Sequence, residues 1–491
     1  MQKVVVIGAG IAGLASAVRL RAKGYEVIVL ESNSYSGGKL HAFQSDGYKF
    51  DYGPSLFTMP RFVEELFELY DIAPEEKFQY HQKDIICNYF WEDGTHFSAN
   101  ANKDIFIQEA AATFSEPANN ISAYLQNSQQ KYDLTNSLFL EQSLHKIGTY
   151  LSKDTIKAIS SINRLDLTTS LDKVNQRYFS SGKLAQFFNR FATYNGSNPY
   201  QTPGIMSLIP QLEMRFGTYY PKGGMHAISQ SIYRLACEQG VKFHFNEKAT
   251  SISTKAGKVE GVETEKDYYK ADKVVCNMDV FSAYNTLLKA EKKPRRILNQ
   301  ERSSSAMIFY WGIKDSFPQL DLHNIFFSED YKEEFRQIFE ESGLSDDPTV
   351  YINITSKEEA EHAPTGCENW FVMINTPGNK GQDWTALREK AKSNILQKLG
   401  RMLESDIASL IETETVVDPV RIERDTLSHQ GSLYGTSSNS KFAAFLRHPN
   451  FSQSIKNLYF CGGSAHPGGG IPLCLLSAKI VADQIRHAQP A

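Results

Sequence analysis

Cysteine is scarce in this chain, with six in 491 residues. Cys87, Cys237, Cys276, Cys367, Cys461 and Cys474 form no CxxC pair and no compact pattern with histidine, so nothing points to a structural metal. Their scatter suits unpaired thiols in a reducing compartment. Long hydrophobic runs are also missing, and no apolar segment reaches the ~20 residues needed to span a bilayer. The opening MQKVVVIGAG lacks the basic, apolar and cleavage regions of a signal peptide, so an intracellular protein is expected. An attachment surface assembled from distant segments would leave no such run, and peripheral membrane association stays open. Excess charge of one sign is absent too. The 52 basic and 56 acidic side chains leave a net charge of -4, which argues against a general nucleic-acid binder. No internal repeat or low-complexity linker divides the chain, and its length suits two or three structural units.

Aromatic residues are plentiful, with 30 Phe and 24 Tyr. They can fill cores or line a long apolar cavity, and composition does not choose between these.

The first fifty residues carry a specific signal. Lys3 to Ile7 is a short β-branched run of the kind found in a buried parallel strand. Gly8, Gly10 and Gly13 follow in the order G-x-G-x-x-G, and AGLASAVRLRAKG then reads as a helix stopped at Gly24. Tyr25 to Leu30 is a second strand, ending at Glu31. In such a unit the first glycine permits the tight turn, the second admits a pyrophosphate, and the third lets helix and strand pack closely. Unpaired N–H groups at the helix start meet phosphate oxygens, and the terminal acid accepts hydrogen bonds from a ribose. The unit predicts dinucleotide binding, and Glu31 alone does not separate FAD from NAD.

The next stretch, ESNSYSGGKLHAFQSDGYKFDYGPSLF, resembles the FAD-binding region of the flavin amine oxidase and carotenoid desaturase superfamily. Gly37, Gly38 and Lys39 match its paired-glycine and basic motif, and Gly53 and Pro54 match an element near the flavin. The resemblance implies FAD, with Lys39 balancing phosphate charge.

Further along, PRFVEELFELYDI predicts a helix with Phe62, Leu66, Leu69 and Tyr70 on its apolar side. YHQKDIICNYFWEDGTHFSA alternates like strands joined at Asp93–Gly94. Residues 102–200 read mainly as helices and loops. A helix with Met225, Ile228, Ile232 and Leu235 at core spacing follows Gly223 and Gly224, and strands follow Gly240. The resemblance places Ala249 beside the adenine end of FAD. SSSAMIFYWGI and NWFVMINTP read as strands, and DWTALREKAKSNILQKLGRML as a helix.

NLYFCGGSAHPGGGIPLCLLSAKIVADQI closes the pattern with a strand, a glycine-rich turn and a helix. On these motifs the chain resembles the bacterial-type carotenoid desaturases across nearly its whole length, with a weaker match in the middle. The resemblance implies that Gly462 and Gly463 lie near the cofactor and that Gly470, Ile471 and Pro472 approach the isoalloxazine. It implies an α/β fold: a Rossmann-like FAD-binding domain of the flavin amine oxidase type with an interleaved substrate-binding domain and helical region. The expected segments are 1–90, 221–284 and 431–491 for FAD, and 91–220 and 285–430 for substrate. His466 is as able to organise a turn as to exchange protons, Cys461 gives no sign of a covalent flavin, and Cys474 is expected to pack in its helix. No catalytic side chain and no metal ligand is nominated.

The resemblance implies introduction of a C-3,4 double bond into a 1-hydroxylated γ-carotene-like polyene as the expected reaction. Phytoene desaturation is the main alternative. Amine oxidation, carotenoid isomerisation or saturation, and noncatalytic binding of FAD or carotenoid are further ones. Expected partners are the long apolar carotenoid, membrane lipid through peripheral association on the inner face of the cell membrane, and oxygen, a quinone or another electron acceptor.

Overall fold

The computed structural model describes residues 1–136, 164–440 and 446–488. The part of the expected helical stretch that falls on 137–163 lies outside the described residues.

The β-branched run forms β1 (Lys3–Ile7), followed by α1 (Ile11–Ala22) and β2 (Glu26–Leu30). Val4, Val5 and Val6 are fully buried, as expected of a strand covered on both faces. Around β1 and β2 a five-stranded parallel sheet assembles in the order Leu458–Phe460, Lys273–Cys276, β1, β2, Lys242–His244. Strands from the beginning, middle and end of the chain therefore share one sheet. All run the same way, so their carboxyl ends open on one edge, where ligands bind in folds of this kind. Helix α1 packs against the helices Ile471–Gln484 and His226–Glu238. A separate small antiparallel sheet, Ala249–Lys255, Lys258–Thr264 and Tyr268–Lys270, packs against the parallel one through Ile252, Val259 and Val262.

A second, seven-stranded sheet has the order Ile411–Val417, Ser305–Ile313, Glu368–Thr376, Val350–Ile354, His323–Phe326, Ile85–Phe90, His96–Asn100. Its neighbours are antiparallel except for Ile85–Phe90 beside His323–Phe326. Although it falls within the expected 1–90 segment, Ile85–Phe90 thus hydrogen-bonds into this other sheet. Ser305–Ile313 is buried along its whole length because strands pair on both sides and both faces are covered. The helix Trp384–Met402 packs on one face through Trp384, Ile395 and Leu399. Helices Lys103–Phe114, Ala118–Thr135, Leu171–Tyr178 and Gly182–Asn189 build a neighbouring layer, joined by an aromatic cluster that includes Phe97, Phe106, Phe187 and Phe188.

The helix opened by Pro60 ends at Glu68, earlier than its apolar pattern suggested. Leu69 is exposed, while Tyr70 turns back and donates to the carbonyl of Val18 at 2.7 Å.

Candidate active site

A single cavity of about 700 Å³ runs from the carboxyl ends of β1 and β2 to a face of the seven-stranded sheet. At the nucleotide end, Gly8 adopts φ +94°, which its turn requires and which side-chain-bearing residues seldom tolerate. Gly13 makes a different demand. A Cβ there would lie 2.0 Å from the carbonyl oxygen of Gly8, so only glycine lets α1 approach β1 this closely. Gly13 is the one sequence-predicted site residue that does not line the cavity. Gly8, Gly10, Glu31, Gly37, Gly38, Lys39, Gly53, Pro54, Ala249, Gly462, Gly463, Gly470, Ile471 and Pro472 all do.

Two helix starts face this space. Gly10 precedes α1 and Gly470 precedes Ile471–Gln484, and neither offers a side-chain cap. Neither first turn carries an acidic residue. Their N–H groups and partial positive charge therefore remain available to an anionic or carbonyl-bearing ligand. At Gly470 an added Cβ would meet nothing within 4 Å, so the missing side chain leaves open space on the cavity wall.

Glu31 is held firmly at the end of β2. One carboxylate oxygen accepts from the backbone N–H of Ala9 at 2.7 Å. The other accepts from the N–H of Asn33 at 2.8 Å and the hydroxyl of Ser32 at 3.2 Å. Lys39 and Arg447 supply positive charge. Lys39 Nζ donates to the carbonyls of Ser432 and Leu433, each at 3.2 Å, and Arg447 donates to those of Tyr434 and Gly463. Burial draws the Lys39 ammonium down to about 8 and the Arg447 guanidinium down to about 10. Arg447 is buried and Lys39 half-buried, and cations held only by neutral carbonyls are suited to a negatively charged ligand.

Sequence reasoning missed Arg447, Asn277, Asp279 and Tyr434, which also line the cavity. Asn277 directly follows the strand Lys273–Cys276 and donates to the carbonyl of Gly8 at 3.4 Å. Its place at a parallel strand's carboxyl end was the available signal. Asp279 caps the helix Val280–Thr286 and pairs with Arg302. No glycine motif or periodicity marks Arg447 or Tyr434.

At the other end the wall is an aligned sheet face. Ile308, Met373, Tyr351 and Ile325 stand opposite one another across four strands, with Phe371 in the next row beside Asn353 and His323. Ile205, Met206, Leu208, Ile209 and Leu212 add an apolar wall from the helical layer. Buried beside it, Arg190 donates to Glu213 at 2.8 Å and packs over the ring of Phe191. Burial raises the Glu213 carboxyl, and Arg190 opposes that shift.

Cys461 does not line the cavity, and burial pushes its thiol upward. Cys474 packs against the core around α1 from its helix and also lines the cavity, with burial raising its thiol to about 11. His466 also lines the cavity and is buried. Its carbonyl accepts from Asn450 at 2.7 Å and Ser477 at 2.8 Å, tying down the glycine-rich turn.

Residues 11–486 match the model of flavin containing amine oxidoreductases. The chain belongs to this family. FAD is accordingly the cofactor of this family member, and the protein is an oxidoreductase. The two uncapped helix starts, the open wall at Gly470 and the cations Lys39 and Arg447 fit that group. The chain is 59% identical over 485 residues to a 1-hydroxycarotenoid 3,4-desaturase from a Flavobacterium species, covering 99% of both proteins. It is 32% identical to a 4,4'-diapolycopene oxygenase from a Methylomonas species, covering 99% of this chain and 98% of that one. Among solved structures, an oxidoreductase from Methanosarcina mazei superposes with a TM-score of 0.64 at 16% identity, covering 98% of this chain and all of the other. A putrescine oxidase bound to putrescine gives 0.63 at 13% identity, covering 98% of each chain. These structures share the family fold. No helix among the described residues is long and apolar enough to cross a membrane.

Proposed function

We propose that this protein is an FAD-dependent carotenoid desaturase that introduces a C-3,4 double bond into a 1-hydroxylated γ-carotene-like polyene. The observation that carries the reading is the continuity of one cavity, from the dinucleotide turn to an apolar sheet face. An elongated polyene can lie along that face while one of its single bonds reaches the glycine-rich turns. The relationship to a 1-hydroxycarotenoid 3,4-desaturase over 99% of the chain supports the choice of substrate and bond.

When bound, FAD supplies a two-electron acceptor that takes hydride from carbon. The chain's own residues hold it in place. The start of α1 and the glycines Gly8, Gly10, Gly37 and Gly38 would hold its pyrophosphate, Lys39 would balance the charge, and Glu31 would accept from the ribose. Ala249 would contact the adenine end. Gly53, Pro54, Gly462 and Gly463 and the segment Gly470, Ile471 and Pro472 would hold the flavin ring. Ile308, Met373, Ile325 and Phe371 exclude water and align the polyene, so that positioning provides much of the rate. The second hydrogen leaves as a proton, and extension of the conjugated system assists its loss. No strong base is required, and none is assigned.

We place the protein peripherally on the inner face of the cell membrane, where its substrate partitions, with oxygen, a quinone or another acceptor reoxidising the flavin. In liposomes carrying the hydroxylated polyene, the FAD-loaded protein is expected to yield a product lighter by two hydrogens with a longer-wavelength spectrum. Equal turnover with lipid removed would overturn the membrane placement, and no mass change would overturn the desaturase reading.

A further inference from the structure

One stretch of the apolar wall is polar, and its hydrogen bonds have a direction. The side chain of Asn353 donates through Nδ2 to the carbonyl of Leu322 at 3.0 Å, which identifies that atom as the amide nitrogen. The same Nδ2 lies 3.2 Å from Nδ1 of His323, a contact that is a hydrogen bond only in the tautomer whose proton sits on Nε2. Tyr351 Oη is 2.7 Å from Nδ1 and in that tautomer donates its single proton there. Ser55 Oγ is 2.8 Å from Tyr351 Oη. With the tyrosine proton already committed, Ser55 donates to Tyr351. The relay runs Ser55 to Tyr351 to His323, and Ser55 Oγ keeps only acceptor capacity toward the cavity it lines.

His323 is 3% exposed, and burial holds its imidazole down at about 3, so it stays neutral at working pH. In the tautomer that the Asn353 contact requires, Nε2 carries the hydrogen, and it has no partner. A buried arrangement with an unsatisfied member costs stability and is not what packing alone would select.

The position matters as much as the polarity. Ser55 directly follows Gly53 and Pro54. A hydroxyl on C1 is three single bonds from C3, a reach of about 4 Å at ~1.5 Å per bond. A group that binds this hydroxyl must therefore sit close to the flavin rather than at the far end of the tunnel.

Resting on the substrate reading above, we propose that Ser55, oriented by Tyr351 and His323, is the residue that selects the 1-hydroxylated end by accepting the hydrogen bond of its O–H. Such a site takes an alcohol. It disfavours the corresponding methyl ether, which has no proton to give, and the deoxy polyene, which leaves Ser55 unpaired.

The test uses the FAD-loaded protein in liposomes with three polyenes: the 1-hydroxy compound, its 1-methyl ether and the 1-deoxy analogue. Ser55→Ala is expected to lower kcat/KM for the hydroxy compound roughly tenfold. The preference over the deoxy polyene should shrink by the same factor, at wild-type flavin content. Tyr351→Phe frees the serine proton to point into the cavity, so turnover of the methyl ether relative to the alcohol should rise above wild type. Equal losses on all three substrates in S55A, or a methyl-ether ratio unaltered in Y351F, would overturn the assignment. Absence of wild-type turnover of the hydroxy compound would instead overturn the substrate reading on which it rests.

Discussion

Replacing Glu31 with glutamine separates a structural strut from a cofactor contact. A carboxylate offers about four lone-pair positions, and three meet donors: the N–H of Ala9 at 2.7 Å, the N–H of Asn33 at 2.8 Å and Ser32 Oγ at 3.2 Å. Glutamine keeps one oxygen and turns the other into an NH2, so either Ala9 or Asn33 must face a donor. The stranded backbone N–H is expected to destabilise the apoprotein by about 1–3 kcal/mol. If Glu31 also accepts from the adenosine ribose, FAD binding loses a charge-assisted bond of about 1.5–3 kcal/mol in addition. At about 1.4 kcal/mol per factor of ten, Kd for FAD rises roughly 10- to 150-fold. Urea unfolding of the apoprotein measures the first term, and quenching of flavin fluorescence during titration measures the second. An E31Q apoprotein destabilised as stated, yet binding FAD within a factor of two of wild type, would refute the ribose contact and leave Glu31 a strut.

Lys39 gives FAD affinity a pH dependence of defined sign. Below pH 8 its ammonium is present in the apoprotein and affinity is full; above about 8 the group must be recharged on binding, so affinity falls by up to tenfold per pH unit. Lys39→Met should flatten that profile, and a wild-type profile level from pH 7 to 9 would contradict it. Gly13→Val would put a side chain into the carbonyl of Gly8, with even its Cβ at 2.0 Å, and should yield protein that retains no flavin on gel filtration. Retention of stoichiometric FAD by G13V would show that α1 and β1 can separate without loss of the site. Arg190→Met leaves Glu213 buried without its partner and should cost about 3–5 kcal/mol in urea unfolding. The double change R190M/E213L should recover part of that loss, and a double variant less stable than R190M would contradict the reasoning.

The nucleotide end was legible because its determinants are local. Gly8, Gly10 and Gly13, the helix after them and Glu31 lie within one strand–helix–strand unit, and spacing alone carries their geometry. The glycine-rich turn before Ile471 is local in the same sense. The helix His226–Glu238 and the hairpin around Asp93–Gly94 followed from core spacing and turn chemistry. The rest of the site depends on which strands become neighbours. Ser55, Tyr351 and His323 come from three segments, joined only when His323–Phe326 pairs with Val350–Ile354 and the loop after Gly53 folds across them. Arg190 and Glu213 meet across 23 positions of short helices and loops that carry no motif. Ile85–Phe90 could be read as a strand, but its partner, about 240 residues away, could not. Arg447 likewise gains meaning only once its segment meets the carbonyls of Tyr434 and Gly463.

The most direct test of the central claim is an anaerobic single turnover of the FAD-loaded protein in lipid, with 1-hydroxy-γ-carotene, phytoene and putrescine offered separately. Flavin bleaching and product mass are followed together. The account predicts bleaching with loss of two hydrogens from the hydroxylated polyene alone, and a product spectrum that places the new double bond at C-3,4. Bleaching by phytoene or putrescine, with none by the hydroxylated polyene, would contradict it.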